Sequence, residues 1–152
     1  MNTSAFSVID VAKREFVGAV LVDEPDRGAA GIWSIACDDK HIFITHSGTH
    51  EVSVIDHPAM LAKFESYKDK SRLDYDLNFL YGLRERVTLQ GNGPRNFIFS
   101  GDKLIIPTYF ADILNTVDIN TLEVTATDMN PGRTETPENK GEKYFNDANH
   151  CY

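Results

Sequence analysis

An all-β chain of short antiparallel strands is the fold class this sequence predicts, and three observations carry the prediction. The first is an internal repeat. Trp33 to Asp56, WSIACDDKHIFITHSGTHEVSVID, lies over Arg95 to Asp118, RNFIFSGDKLIIPTYFADILNTVD, without a gap at a constant offset of 62 residues. Apolar positions then coincide: Ile35 with Phe97, Cys37 with Phe99, Ile42 with Leu104, Ile44 with Ile106, Val52 with Leu114, Ile55 with Val117. The closing aspartates Asp56 and Asp118 coincide too. The second observation is alternation of apolar and polar residues inside these runs, the period of a half-buried strand. The third is a partial extra copy, FSVID at Phe6 to Asp10, which matches VSVID at Val52 to Asp56.

Each element follows in order. FSVID is a strand, and EFVGAVLV after it is a partner strand. In the two full copies a first strand runs around Ser34 to Cys37 or Asn96 to Phe99 and ends in a polar turn, Asp38-Asp39-Lys40 or Ser100-Gly101-Asp102. Turns of this kind close hairpins. The second strand is His41 to Thr45 or Lys103 to Thr108, and the third is Glu51 to Ile55 or Ile113 to Ile119. LEVTATDM supplies a fourth strand to the last copy. Four antiparallel strands per unit, at roughly the 40-residue spacing of propeller repeats, read as β-propeller blades. The chain holds about two, an incomplete propeller.

The offset of 62 exceeds that period, so His57 to Gln90 is an insertion. HPAMLAKFESYKDK predicts a helix, with Pro58 just inside its start, Asp56 or His57 to cap it, and Met60, Phe64 and Tyr67 at helical spacing. DLNFLYGLRERV predicts a second short helix, with Leu77, Leu80 and Leu83 on one face and Arg84 and Arg86 near its C-terminal end. Two small helices then ride on the outside of the blades, and adjacent Asp74 and Asp76 read as caps. The blades and their insertion at about 57–90 occupy 1–130. The segment 131–152 has few apolar residues before Tyr144-Phe145 and contains Pro131 and Pro137, so it reads as a linker.

Composition narrows the partners. A net charge of −8 with scattered lysines and arginines gives no basic face for nucleic acid. No apolar run approaches the roughly 18 residues that span a bilayer. Cys37, in a strand, is expected to be a small buried apolar residue.

IFITHSGTHEVSVID resembles the YVTN-type propeller repeat, with Phe43-Ile44-Thr45-His46 standing where the name tetrapeptide would be, and GNGPR, Gly91 to Arg95, resembles the lead-in to a blade's inner strand. GEKYFNDANHCY is similar to the opening of the haem domain in di-haem cytochrome c peroxidase-like proteins. The order of elements resembles bacterial YVTN propellers fused to a C-terminal cytochrome domain. That resemblance implies a secreted, periplasmic or cell-surface parent, haem c in that parent, and a redox or protein partner. Surface-layer and adhesion proteins carry the same repeat and stand as the alternative, as does a haem peroxidase or oxidase whose catalytic domain lies beyond Tyr152. Covalent haem attachment needs Cys-x-x-Cys-His, and this sequence holds none, so no cofactor is expected in the chain itself and 131–152 reads as the start of a truncated haem domain.

Candidate site residues are few. Trp33 and Arg95 occupy equivalent positions at the lead-in to the inner strands and are expected to line the loop end of the blades, with packing between blades as the other reading. His46 and His50 flank Ser47-Gly48-Thr49, which demands a turn rather than a helical metal face; with His57 or Asp39 they are weak metal candidates beside the plainer reading as loop polar groups. Gly91-Asn92-Gly93 lacks the pattern of a phosphate cradle, His150-Cys151 is a poor nucleophile pair, and no catalytic set is legible. Two blades cannot close a ring and leave strand faces bare, so association between chains is expected.

Overall fold

A computed structural model describes residues 3–150. Strands β1 (Ala5–Asp10) and β2 (Glu15–Leu21) form a two-stranded antiparallel sheet. A middle sheet has β3 (Ile32–Cys37), β4 (His41–His46), β5 (Glu51–Asp56) and β6 (Arg84–Thr88) in sequence order. A last sheet has β7 (Ile98–Ser100), β8 (Lys103–Pro107), β9 (Ile113–Asp118) and β10 (Val124–Asp128), again in sequence order. All pairings are antiparallel. Helices α1 (His57–Ser66) and α2 (Lys70–Leu73) lie between β5 and β6, and α3 (Pro137–Phe145) follows the last sheet. The fold is all-β, and no helix among the described residues is long and apolar enough to cross a membrane.

The repeated aspartate does one job three times. Asp10 Oδ1 accepts the Lys13 amide at 2.9 Å, Asp56 Oδ1 the Ala59 amide at 2.9 Å, and Asp118 Oδ1 the Thr121 amide at 3.0 Å. A short carboxylate reaching three residues ahead satisfies an amide that a turn or a helix start would leave open. After Asp10 and Asp118 the chain turns back into the next strand, through left-handed Arg14 (φ 58°) and Leu122 (φ 60°). After Asp56 the same cap launches α1, with Pro58 in its first turn.

The sheets stack face to face. On the side of the middle sheet that looks toward β1 and β2, Ile42, Ile44 and Ile55 pack with Val20 and Val22. Met60, Phe64, Leu73, Phe79 and Leu80 from the insertion complete that cluster. On the opposite side Phe43, Val52, Val54 and Val87 pack with Leu104, Ile106 and Val117 of the last sheet. The insertion therefore does more than ride on the outside: its apolar stripe fills the layer beside the narrow first sheet.

Three expectations are corrected. No helix runs through DLNFLYGLRERV: residues 77–83 turn, and Arg84–Thr88 is the fourth strand, with Arg86 opposite Ser53 and Val87 opposite Val52. Strand pairing to β5 outweighs the weak helical spacing of three leucines. The second helix lies earlier, at α2, capped by Asp69, whose carboxylate accepts the Ser71 amide at 3.2 Å. Asp74 instead accepts the Ala19 amide at 2.8 Å, whereas Asp76 caps the turn that follows it, accepting the Asn78 amide at 2.9 Å, and also accepts the Tyr67 hydroxyl at 2.6 Å, tying the insertion together and to β2. Cys37 is exposed, not buried. It ends the edge strand β3, where the two-stranded first sheet is too narrow to cover it, and Ile35 beside it is also exposed. Beyond the last sheet the chain carries a further helix. Thr136 caps α3, and Asp147 is buried against the β4–β5 loop.

Candidate functional site

The end of the middle sheet where β4 gives way to β5 gathers buried charge. Glu51 is fully buried. It accepts Arg86 Nε at 3.0 Å, Arg27 Nη2 at 3.0 Å and Thr49 Oγ1 at 2.8 Å, with a second bond from Arg86 Nη2. Arg86 also donates to the Gly28 carbonyl at 2.6 Å and to Glu24 at 3.2 Å. Arg84 binds Glu24 and the Val22 carbonyl. Alternation places Arg84 and Arg86 on one side of β6, so both reach the loop between β2 and β3 and lock the first sheet to the middle one.

His46 lies on the same side. It is fully buried, with Nε2 2.8 Å from the Ser53 hydroxyl. Burial pushes its pKa down to about 4, the Arg84 and Arg86 charges add to the fall, and Glu51 opposes it. The ring is neutral at physiological pH.

A second cluster sits at the same end, between the middle and last sheets. Trp33 falls at an irregularity of register between Ile32 and Ser34, a bulge that frees its side chain from the pleat. The Arg95 guanidinium carbon lies 4.3 Å from the Trp33 ring centroid, 3.4 Å from that of Tyr109 and 6.0 Å from that of Phe110. Trp33 is 50% exposed and Tyr109 48% exposed. Backbone bonds fix the arrangement. Thr45 Oγ1 donates to the Arg95 carbonyl at 2.6 Å, and the Tyr109 and Phe110 amides donate to the Gly93 and Asn92 carbonyls at 2.9 and 3.1 Å. Gly93 is required here twice over: its φ is 70°, and a Cβ would run into the Phe110 ring. The Gly91-Asn92-Gly93 segment is thus a packing device beneath Arg95.

His50, in the left-handed region at φ 56°, faces the tail. Its Nε2 lies 3.1 Å from Asp147 Oδ1 and 2.9 Å from Asn92 Nδ2, while Nδ1 lies 3.1 Å from the Gly93 amide and 3.0 Å from the Ser47 carbonyl, so donors and acceptors face both ring nitrogens. Burial raises the Asp147 pKa, but the bonds from His50 and the Asn149 amide outweigh it and hold the carboxyl below its ordinary value. Asn92 Nδ2 also donates to Asp147, at 3.3 Å.

Of the residues singled out from sequence, Trp33 and Arg95 are brought into contact, although their equivalence in the repeat placed them in separate units. The histidines are kept apart in function. His46 pairs with Ser53, His50 with Asp147 and Gly93, and His57 Nδ1 with the Asp38 carbonyl at 2.9 Å. Among the described residues no three His, Cys, Asp or Glu side chains gather as a metal set. Haem c does not fit the described residues either. Attachment needs two thiols beside a histidine, and Cys37 is the one described cysteine, exposed at a strand end. Cys151 lies outside the described residues. Glu51, Arg86 and Tyr109 escaped the sequence reading, because their neighbours in space are 35, 35 and 14 residues away along the chain.

These observations define a class of protein, all-β, in which antiparallel four-stranded sheets stack in series and gather polar groups at one end. No protein-family model matches the chain, and no curated protein sequence matches it. Among solved structures it is similar to Kuenenia stuttgartiensis hydrazine synthase, with a TM-score of 0.63 and 22% identity over 84% of this chain. The match spans 35% of that protein's chain, about a third of its length, and at this identity the likeness is one of fold.

Proposed function

We propose that the stacked sheets are blades of an incomplete β-propeller, and that they serve as a non-catalytic scaffold and docking surface for a redox or substrate partner in a secreted or periplasmic cytochrome-linked protein. One observation carries the propeller part. Phe43 and Val52, which the middle sheet buries against the last one, correspond at the offset of 62 to Ile105 and Leu114, which the last sheet leaves half-exposed on its outer side. Ile98 beside them is 65% exposed. A sheet patterned to bury both sides, with one side bare, calls for a further layer: more blades of the same protein or a second copy of the chain. The docking part is supported by Trp33 and Arg95 at the end where the sheet loops converge, the part of a propeller that presents binding groups.

The coding sequence on both sides is the test of the cytochrome-linked reading. Further blades upstream and a Cys-x-x-Cys-His shortly after Tyr152 are the expected result, with haem c seated there; a stop codon directly after Tyr152 overturns that reading. Sedimentation of this chain at micromolar concentration tests the bare face separately. Association is expected, with Leu114→Glu shifting the chain to monomer, and a wild-type chain that runs as a clean monomer refutes it.

A further inference from the structure

Arg95 differs from Arg84 and Arg86, whose guanidiniums are spent on carboxylates and carbonyls. Its Nε, like that of Arg84, is buried and has no hydrogen-bond partner among the described residues, so the difference lies in the terminal nitrogens. Nη1 and Nη2 are not enclosed and make no bond to any described residue. No carboxylate of the described residues pairs with it. Yet the group is held in place, because its planar faces stack on aromatic rings and its backbone is fixed by Thr45 and Pro107. Stacking uses the faces of a guanidinium and leaves the in-plane donors free. Those donors form a fork that matches a carboxylate in bidentate geometry.

A buried N–H without an acceptor costs stability, and a fixed, stacked guanidinium has already lost the side-chain freedom that a ligand would otherwise have to freeze out. The second fact fits an acceptor that arrives from outside and meets the Nη donors end-on, while the enclosed Nε stays out of its reach. The half-exposed Trp33 and Tyr109 rings then form apolar walls beside the bound group. With a net charge of −8 the chain repels anions at long range, so the selectivity lies in this local fork and its walls rather than in the overall field.

We infer that Arg95, walled by Trp33 and Tyr109, is a carboxylate-binding site at the junction of the middle and last sheets. It takes a small organic acid or an acidic side chain of a docking protein. The inference rests on the docking-end reading above only in needing this end to be open.

Trp33 is the single tryptophan of the chain, so its fluorescence reports on the site directly. Succinate, an Asp- and Glu-rich peptide and inorganic phosphate are titrated in separate arms. A saturable change with succinate assigns a small organic acid, and one with the peptide alone assigns an acidic protein segment. Arg95→Gln should weaken either by about tenfold or more, and Arg95→Lys, which keeps the charge without the fork, should fall between. Tyr109→Ala, read by calorimetry, keeps Arg95 and removes one wall; it should weaken binding several-fold and decides the matter if Arg95→Gln fails to fold. No saturable change in either carboxylate arm, equal binding of phosphate, or unchanged affinity in a folded Arg95→Gln overturns the site. None of these outcomes bears on the bare outer face, which the sedimentation experiment reads independently.

Discussion

The middle and last sheets are built from the same plan and end in different environments. At the offset of 62, β4 and β5 align with β8 and β9, and left-handed His50 aligns with left-handed Asp112 at φ 51°. The inner strands β4 and β5 of the middle sheet are covered on both sides, so their polar positions had to be neutralised from within: Glu51 by three donors' side chains, His46 by Ser53. Their counterparts in the last sheet, Ile113 and Thr108, carry no charge. Asn115, the counterpart of Ser53, is buried but closes on the Gln90 backbone at 2.9 and 3.0 Å. The difference teaches that one strand pattern specifies a sheet, while the layers around it decide which of its residues become core.

The largest expected effect comes from breaking the charge network that only the middle sheet has. Glu51→Gln leaves Arg86 and Arg27 without their buried counter-charge and should cost about 3–5 kcal/mol in urea unfolding. The equivalent Ile113→Ala should cost about 1–2 kcal/mol. Nearly as large is the contrast between Phe43→Ala and Ile105→Ala. Removing the buried ring should cost about 3–5 kcal/mol, whereas the half-exposed Ile105 should cost about 1 kcal/mol and instead weaken any association through the bare face. Equal losses at the two positions would mean that the outer side of the last sheet is covered in solution.

Acid should act through the middle sheet as well. The folded pKa of His46, about 4, lies below the ordinary 6.5. The unfolded chain therefore binds the proton first, so this contribution is fully present above pH 6.5 and is lost as pH falls toward 4. The loss amounts to about 3 kcal/mol across that window. His46→Gln should flatten stability between pH 6.5 and 4; an unchanged slope would assign the acid sensitivity elsewhere. The smallest contrast is between caps. Asp56→Ala and Asp118→Ala should each cost about 1 kcal/mol in thermal unfolding, with loss of helical signal only for Asp56, which starts α1.

Much of the fold was legible because its causes are local. Alternation, the polar turns at Asp38 and Ser100, and the aspartate that accepts an amide three residues on all act within a few residues of sequence. The fourth strand of the middle sheet was not legible. Arg84-Glu85-Arg86 has no apolar alternation, and the arginines are inward only because Glu51 and Glu24 wait for them. Cys37 was misread for a related reason, since alternation gives the side a residue faces and not what lies opposite. Trp33 and Arg95 were found through the repeat, but their contact was not, because the repeat relates positions and says nothing of how one unit rests on the next.

The sequence by itself determined the hairpin strands of the two copies, their turns, the presence of an insertion between them and the first helix with its cap. These are set by period, proline and capping chemistry, whose free energies are paid within the segment. Only the tertiary structure decided that Glu51 would be the buried acceptor of Arg86 and Arg27, that His46 would be neutral, that His50 would hold Asp147, and that Arg95 would lie on Trp33 and Tyr109 with its donors open. Those outcomes depend on which surfaces exclude water, and that is a property of stacked layers rather than of any one strand.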